Sequence, residues 1–305
     1  MLRFKAEQKN FRIGDVEIGG QPGELPTVMI GSIFYSGDPL VSDSKRGLFD
    51  ETRAKSLLEK EGELSRELAL PRIIDVIAET SEAMKRYIDF ILENTDCPFL
   101  VDSSSPSVRI EAIKYLHDIG QVDRGIYNSI DVHYSEEELN SIAESGVKSA
   151  ILLAFSTKYL KPRGRIKALL GTEDEAGLLQ VSRQAGIENL LIDLGVLDLP
   201  SVSWTSQAIE IVKDELGYPC GCAPVNALYS WKREKNIEDT EFKSAASAII
   251  SLPIIYGADF VFYGPVTNAH WVYPACAAVN AMIAYGGRTV KISPKTKQHP
   301  LYRIL

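Results

Sequence analysis

Five polar side chains stand where apolar runs end: Asp75 after RII, Asp102 after FLV, Asn128 after GIY, Asp193 after LLI and Asn226 after CAPV. A carboxylate or amide taken out of water is costly unless a partner satisfies it. Acids and amides closing successive strands therefore suit a ligand rich in hydrogen-bond donors, and an acid among them can hold or move a proton on that ligand. Each also has an ordinary use as the cap of the helix that follows. Asp102, with Ser103, Ser104 and Ser105 ahead of PSVRIEAIKYL, can do both.

The elements that must position these residues are legible as an alternation. Short β-branched or apolar runs fall at 26–35, 72–79, 98–104, 124–130, 149–157, 189–195, 218–226 and 258–265, separated by longer amphipathic stretches. That is the grammar of βα units, and eight of them close a barrel. Ser81 with Glu82, and Ser135 followed by Glu136, Glu137 and Glu138, mark helix starts with acids in the first turn. Gly120, Gly146, Gly186 and Gly217 mark helix ends where a left-handed residue is wanted. The expectation is one α/β domain over 1–305, a single (β/α)8 TIM barrel, with FRIGDVEIGGQP as an N-terminal hairpin capping its bottom. Chemistry in such a barrel sits at the C-terminal ends of the strands, which gathers the five polar residues at one mouth. The tail KISPKTKQHPLYRIL is basic and irregular, and able to pack back or meet a partner.

Composition narrows the function classes. The chain has 305 residues, 45% hydrophobic and 24% charged, and a net charge of −8. Nucleic-acid binding rests on an excess of Lys and Arg and is not expected. No apolar run reaches the roughly 18 residues of a spanning helix, and MLRFKAEQKNFRIGD has no signal-peptide core, so the reading is cytoplasmic with no integral membrane segment. The four cysteines are too few for a disulfide framework.

A reduced pterin fits the ring of acids and amides: its 2-amino, N3–H and 4-oxo edge offers donors to carboxylates and an acceptor to amides. The stretches IGGQPGELPTVMIGSIFY, DSSSPSVRIEAIKYL, YNSI and FVFYGPVTNA resemble the H component of tetrahydromethanopterin S-methyltransferase and its bacterial relatives, the methylcobamide:tetrahydrofolate methyltransferases. The resemblance runs over nearly the whole chain and is taken as strongest toward the bacterial, glycine betaine-type systems. It implies a pterin-binding barrel, a homodimer, that moves a methyl group between pterin N5 and the cobalt of methylcobalamin or another corrinoid carried by a partner protein, with tetrahydrofolate as co-substrate and no bound metal. It also implies that Asp75, Asp102 and Asn128 anchor the pterin, and that Asp193 and Asn226 lie near N5 and adjust its protonation. The seventh strand, reading CGCAPVN, departs from the Gly-rich pattern of the archaeal proteins.

Other signals carry less. Asp131-Val-His133 resembles the opening of the corrinoid-binding DxHxxG signature, but position 136 is Glu. Cys220 and Cys222 lack a zinc partner at useful spacing among His117, His133, His270 and His299, and inward packing on the strand explains them. Lys158, Lys161 and Arg163 could meet a folate glutamate tail or form a solvated loop; Gly264, Pro265 and Thr267 could cradle a phosphate or make a turn. Three alternatives stay open: a tetrahydromethanopterin-specific component of a membrane methyltransferase complex, a dihydropteroate synthase-like pterin enzyme, and a noncatalytic docking scaffold for a corrinoid protein.

Overall fold

The computed structural model describes residues 3–304. Antiparallel strands β1 (Asn10–Ile13) and β2 (Val16–Gly19) come first, joined by Gly14-Asp15 with Gly14 at φ +55°. A two-residue hairpin turn that opens at positive φ favours glycine there. Next come β3 (Val28–Ile33) and a small antiparallel pair, β4 (Val41–Asp43) and β5 (Leu48–Phe49). The remaining strands are β6 (Arg72–Ile77), β7 (Phe99–Asp102), β8 (Gly125–Asp131), β9 (Ser149–Leu153), β10 (Asn189–Asp193), β11 (Cys220–Cys222) and β12 (Phe260–Pro265). β3 and β6 to β12 are parallel and close into an eight-stranded barrel, the TIM-barrel architecture.

Helix α1 (Glu51–Leu68) precedes β6, and α2 (Ser81–Asn94), α3 (Pro106–Asp118) and α4 (Glu136–Ser145) follow β6, β7 and β8. Two helices, α5 (Pro162–Leu170) and α6 (Leu178–Gln184), lie between β9 and β10; α7 (Val202–Glu215) follows β10. Two more, α8 (Val225–Lys235) and α9 (Asp239–Ile255), separate β11 from β12; α10 (Ala269–Gly287) and the short α11 (Leu301–Ile304) complete the chain. Ser135 caps α4 as expected, its hydroxyl accepting from Glu138 N at 3.1 Å, while the cap of α2 is Thr80, one residue before Ser81. Gly120, Gly146, Gly186 and Gly217 all take positive φ. No described helix is long and apolar enough to cross a membrane.

Alternation along the strands sorts the core into two layers. Val28, Ile30, Ile73, Leu100, Ile126, Ile151, Leu191, Phe260 and Phe262 fill the barrel, and Ile13, Val16 and Ile18 of the hairpin pack under them as a plug. The buried Lys213 of α7 ties this end together, donating to both Asp259 oxygens at 2.8 Å and to Gly20 O at 2.9 Å. The strand residues between them face the helices. Cys220 and Cys222 do share a face, but it is this outer one: both are buried against the helices, and the expected inward packing is corrected.

On β6 the same rule sends Arg72 outward to the buried Glu61 of α1, while Glu61 Oε1 accepts from the hydroxyls of Tyr263 at 3.0 Å and Tyr273 at 2.7 Å. Gly31 is required beneath this cluster, since a Cβ there would lie 2.2 Å from the Tyr263 hydroxyl. Two further features depart from the sequence reading. The seventh strand is only Cys220–Cys222, and Pro224 starts helix α8, so the strand expected to reach 226 stops early. The β4–β5 pair has no counterpart in the sequence reading; its Phe49 joins Phe34, Tyr87 and Phe90 in an aromatic cluster. The basic tail packs back, with His299 and Leu301 buried and Lys295 paired to Glu17 at 3.1 Å.

Candidate active site

The C-terminal ends of the strands surround a cavity of about 850 Å³, and Asp75, Asp102, Asn128, Asp193 and Asn226 all line it. Asp75 sits one pleat below the end of β6, with Ile77 above it on the cavity side. Ser32 on β3 is its register partner and donates to Asp75 Oδ2 at 2.7 Å. The other oxygen, Oδ1, is buried and has no hydrogen bond among the described residues. Asp102 ends β7 directly opposite Asn128 of β8. Burial pushes Asp75 up to about 6, with Ser32, Asp102 and Asn128 partly offsetting it. Asp102 is lifted well above the carboxylate range by burial and then by the charge of Asp75. Two carboxyls so placed hold a proton between them near neutrality.

Asp193 ends β10 and is buried; Gly195 N donates to its Oδ1 at 2.7 Å. Burial raises it to about 6, and the Gly195 N–H and the Arg165 charge restrain the rise. Arg165 is itself buried on α5 and donates to Gly195 O at 2.8 Å and Thr205 Oγ1 at 2.7 Å, fixing the segment behind Asp193. Arg109 does the same for Asp102: it donates to Ser103 O at 2.6 Å and to Glu138 at 2.8 Å. Asn226 differs from the others. It lies in the first turn of α8, exposed, and lines the cavity from its rim.

The rim also holds residues that the sequence pattern does not single out: Tyr35, Phe155, Tyr229 and Arg233. A signal for the α8 members exists, because 226, 229, 230 and 233 share one helical face. Lys158 and Arg163 instead pair with Glu175 and Glu215, at 3.4 and 2.7 Å, and neither lines the cavity, nor does Lys161. Asp131 accepts from His133 N at 2.6 Å in a local turn. Gly264 and Pro265 do reach the cavity wall. Among the described residues no group of three or more His, Cys, Asp or Glu is placed to hold a metal ion.

The profile of the tetrahydromethanopterin S-methyltransferase MtrH family matches residues 6–295. The chain belongs to this family. Among its relatives, the H component of tetrahydromethanopterin S-methyltransferase from Methanopyrus kandleri is 36% identical, covering 96% of each chain. The protein of the same name from Methanothermobacter thermautotrophicus is 34% identical over the full length of both. In three dimensions the chain resembles a Yersinia pestis dihydropteroate synthase bound to a pterine-sulfa conjugate, with a TM-score of 0.62, 15% identity, and 93% and 100% of the two chains covered. At that identity the likeness speaks for the barrel fold.

Proposed function

We propose that this MtrH-family chain moves a methyl group between N5 of a reduced pterin and the cobalt of a corrinoid brought by a partner protein. The observation that carries the pterin reading is the buried carboxyl pair Asp75 and Asp102, with Asn128 beside it, at the base of the cavity. Two buried carboxyls with one proton between them leave acceptor oxygens to be satisfied, and the 2-amino and N3–H edge of a pterin supplies two donors side by side. The names of the relatives favour tetrahydromethanopterin over the tetrahydrofolate expected from sequence.

Asp75 and Asp102 would hold the head and exchange their shared proton for its donors. Asn128 presents an amide to the same edge. Asp193, raised to about 6 by burial, would carry a proton and deliver it to or withdraw it from N5 as the methyl leaves or arrives. The corrinoid, when docked over the mouth, supplies a strongly nucleophilic cobalt or a methyl donor; the chain's part is alignment and exclusion of water. A dihydropteroate synthase-like condensation needs a basic pyrophosphate site, whereas Arg233 is the one Lys or Arg among the described cavity-lining residues. Asp102→Ala is expected to raise the Kd for reduced pterin at least about tenfold, measured by anaerobic calorimetry.

The homodimer has a suitable face. α10 carries no Asp, Glu, Lys or Arg, and Met282 and Tyr285 on it are 65% and 60% exposed; α9, packed beside it, ends in the exposed Ile255. An uncharged, apolar outer helix suits self-association in a C2 dimer. Sedimentation is expected to show a dimer, with Met282→Asp shifting it toward monomer; a wild-type monomer would remove the assignment.

The reaction is tested by anaerobic incubation with methylcobalamin and each reduced pterin, following loss of the methylcobalamin spectrum and formation of the N5-methyl product. Turnover is expected with tetrahydromethanopterin. Faster turnover with tetrahydrofolate would reassign the pterin, and silence with both, together with no pterin binding, would leave a docking scaffold.

A further inference from the structure

The inner end of the cavity is lined by acids and amides, but its outer end has a different chemistry. Asn226, Tyr229, Ser230 and Arg233 recur at helical spacing, so one face of α8 forms a wall of the cavity. Tyr35, after β3, lines the same cavity. Tyr229 is held in place: its hydroxyl accepts from Asn268 Nδ2 at 2.9 Å and its ring packs 5.3 Å from that of Phe242. Tyr35 stays a neutral phenol, its pKa raised to about 12 by burial and by the nearby charge of Asp38. Lys232, next to Arg233, is committed to an ion pair with Asp239. Arg233 forms no ion pair among the described residues; its polar contact is a long one, Nη2 to Ser230 Oγ at 3.4 Å.

The cavity volume, about 850 Å³, lies toward the upper end of the roughly 300–1,000 Å³ range of pockets that bury a drug-sized ligand. A bicyclic head bound at Asp75 and Asp102 leaves the outer part free. A ligand matching the whole cavity has a donor-rich neutral head, an aromatic middle and an anionic end.

We propose that Tyr35, Tyr229 and Arg233 form an outer subsite that binds the aryl and anionic tail of the pterin co-substrate, which deepens and rests on the pterin reading above. The rings flank the arylamine, and the guanidinium meets a carboxylate or phosphate of the tail. Tetrahydrofolate and tetrahydromethanopterin both carry an arylamine and an anionic tail, so the subsite serves either. The phosphodiester of a corrinoid nucleotide loop has the same anionic chemistry and is the competing source.

The test uses the full chain and anaerobic calorimetry with three probes: tetrahydrofolate, tetrahydromethanopterin, and 6-methyltetrahydropterin, which has no tail. Arg233→Met is expected to raise Kd for a tailed pterin about tenfold and to change that of the tailless one by less than about twofold. Arg233→Lys keeps the charge and should recover part of the loss; about 0.5 M salt should narrow the gap between wild type and Arg233→Met. Arg233 is exposed, so the fold is expected to survive, and circular dichroism checks this. Unchanged Kd values for the tailed pterins in Arg233→Met would overturn the proposal. So would a raised KM for methylcobalamin but not for methylcobinamide, which lacks the nucleotide loop, if pterin affinity stayed at the wild-type value. Failure of every reduced pterin to bind wild-type protein is a separate result: it sinks the pterin reading itself and this subsite with it.

Discussion

Asp75→Asn is expected to weaken binding of reduced pterin about a hundredfold while making the empty protein more stable than wild type. The loss of affinity follows from replacing two acceptor oxygens by one acceptor and a donor that faces the pterin's own donors. The gain in stability follows from burial. Asp75 titrates at about 6 in the folded chain against 3.8 for the free side chain. Between those values the folded state binds the extra proton, so stability falls as pH rises through that window. Above it the cost is fully present, on the order of 2–3 kcal/mol; below it the cost is gone. Asparagine carries no such cost, and its neutrality also relieves Asp102, whose pKa the Asp75 charge helps to raise. Denaturation at pH 7.5 and pH 4.5 should show the variant ahead at the higher pH and the difference shrinking at the lower one. Lower stability for the variant at pH 7.5 would mean Asp75 is already satisfied within the chain.

The larger effect on folding is expected outside the mouth. Glu61→Ala should destabilise the barrel by roughly 3–5 kcal/mol, because it leaves the Arg72 guanidinium uncompensated in the interior. It also removes the acceptor of the Tyr263 and Tyr273 hydroxyls. Pairing it with Arg72→Met removes the stranded charge and should recover a substantial part of the loss. Urea denaturation of the single and double variants measures both, and a Glu61→Ala loss below about 1 kcal/mol would show the cluster to be hydrated rather than dry.

The eight strands are legible in the sequence because each is a short apolar run between helix stops, and the mouth because Asp75, Asp102, Asn128 and Asp193 interrupt or end those runs. The hairpin plug is legible from its glycines. Asn226 reads as a strand end because CGCAPVN is apolar up to its last residue; Pro224 turns the chain into α8 and puts Asn226 on the rim. For Cys220 and Cys222 a period of two fixes that they share a face, but not which face. The Glu61 cluster is invisible in sequence, since Glu61, Arg72, Tyr263 and Tyr273 meet only once the barrel closes. Arg233 is one more charge on a solvated helix until the cavity wall is defined.

The measurement closest to the central claim is calorimetric titration of the wild-type protein with reduced pterin at pH 7, repeated in buffers of different ionisation enthalpy. If Asp75 and Asp102 share a proton that the pterin edge displaces, binding is stoichiometric and releases protons to the buffer, and Asp75→Asn abolishes the release. Absence of binding by tetrahydromethanopterin and tetrahydrofolate alike would contradict the pterin reading, and binding with no proton release would contradict the role given to the carboxyl pair.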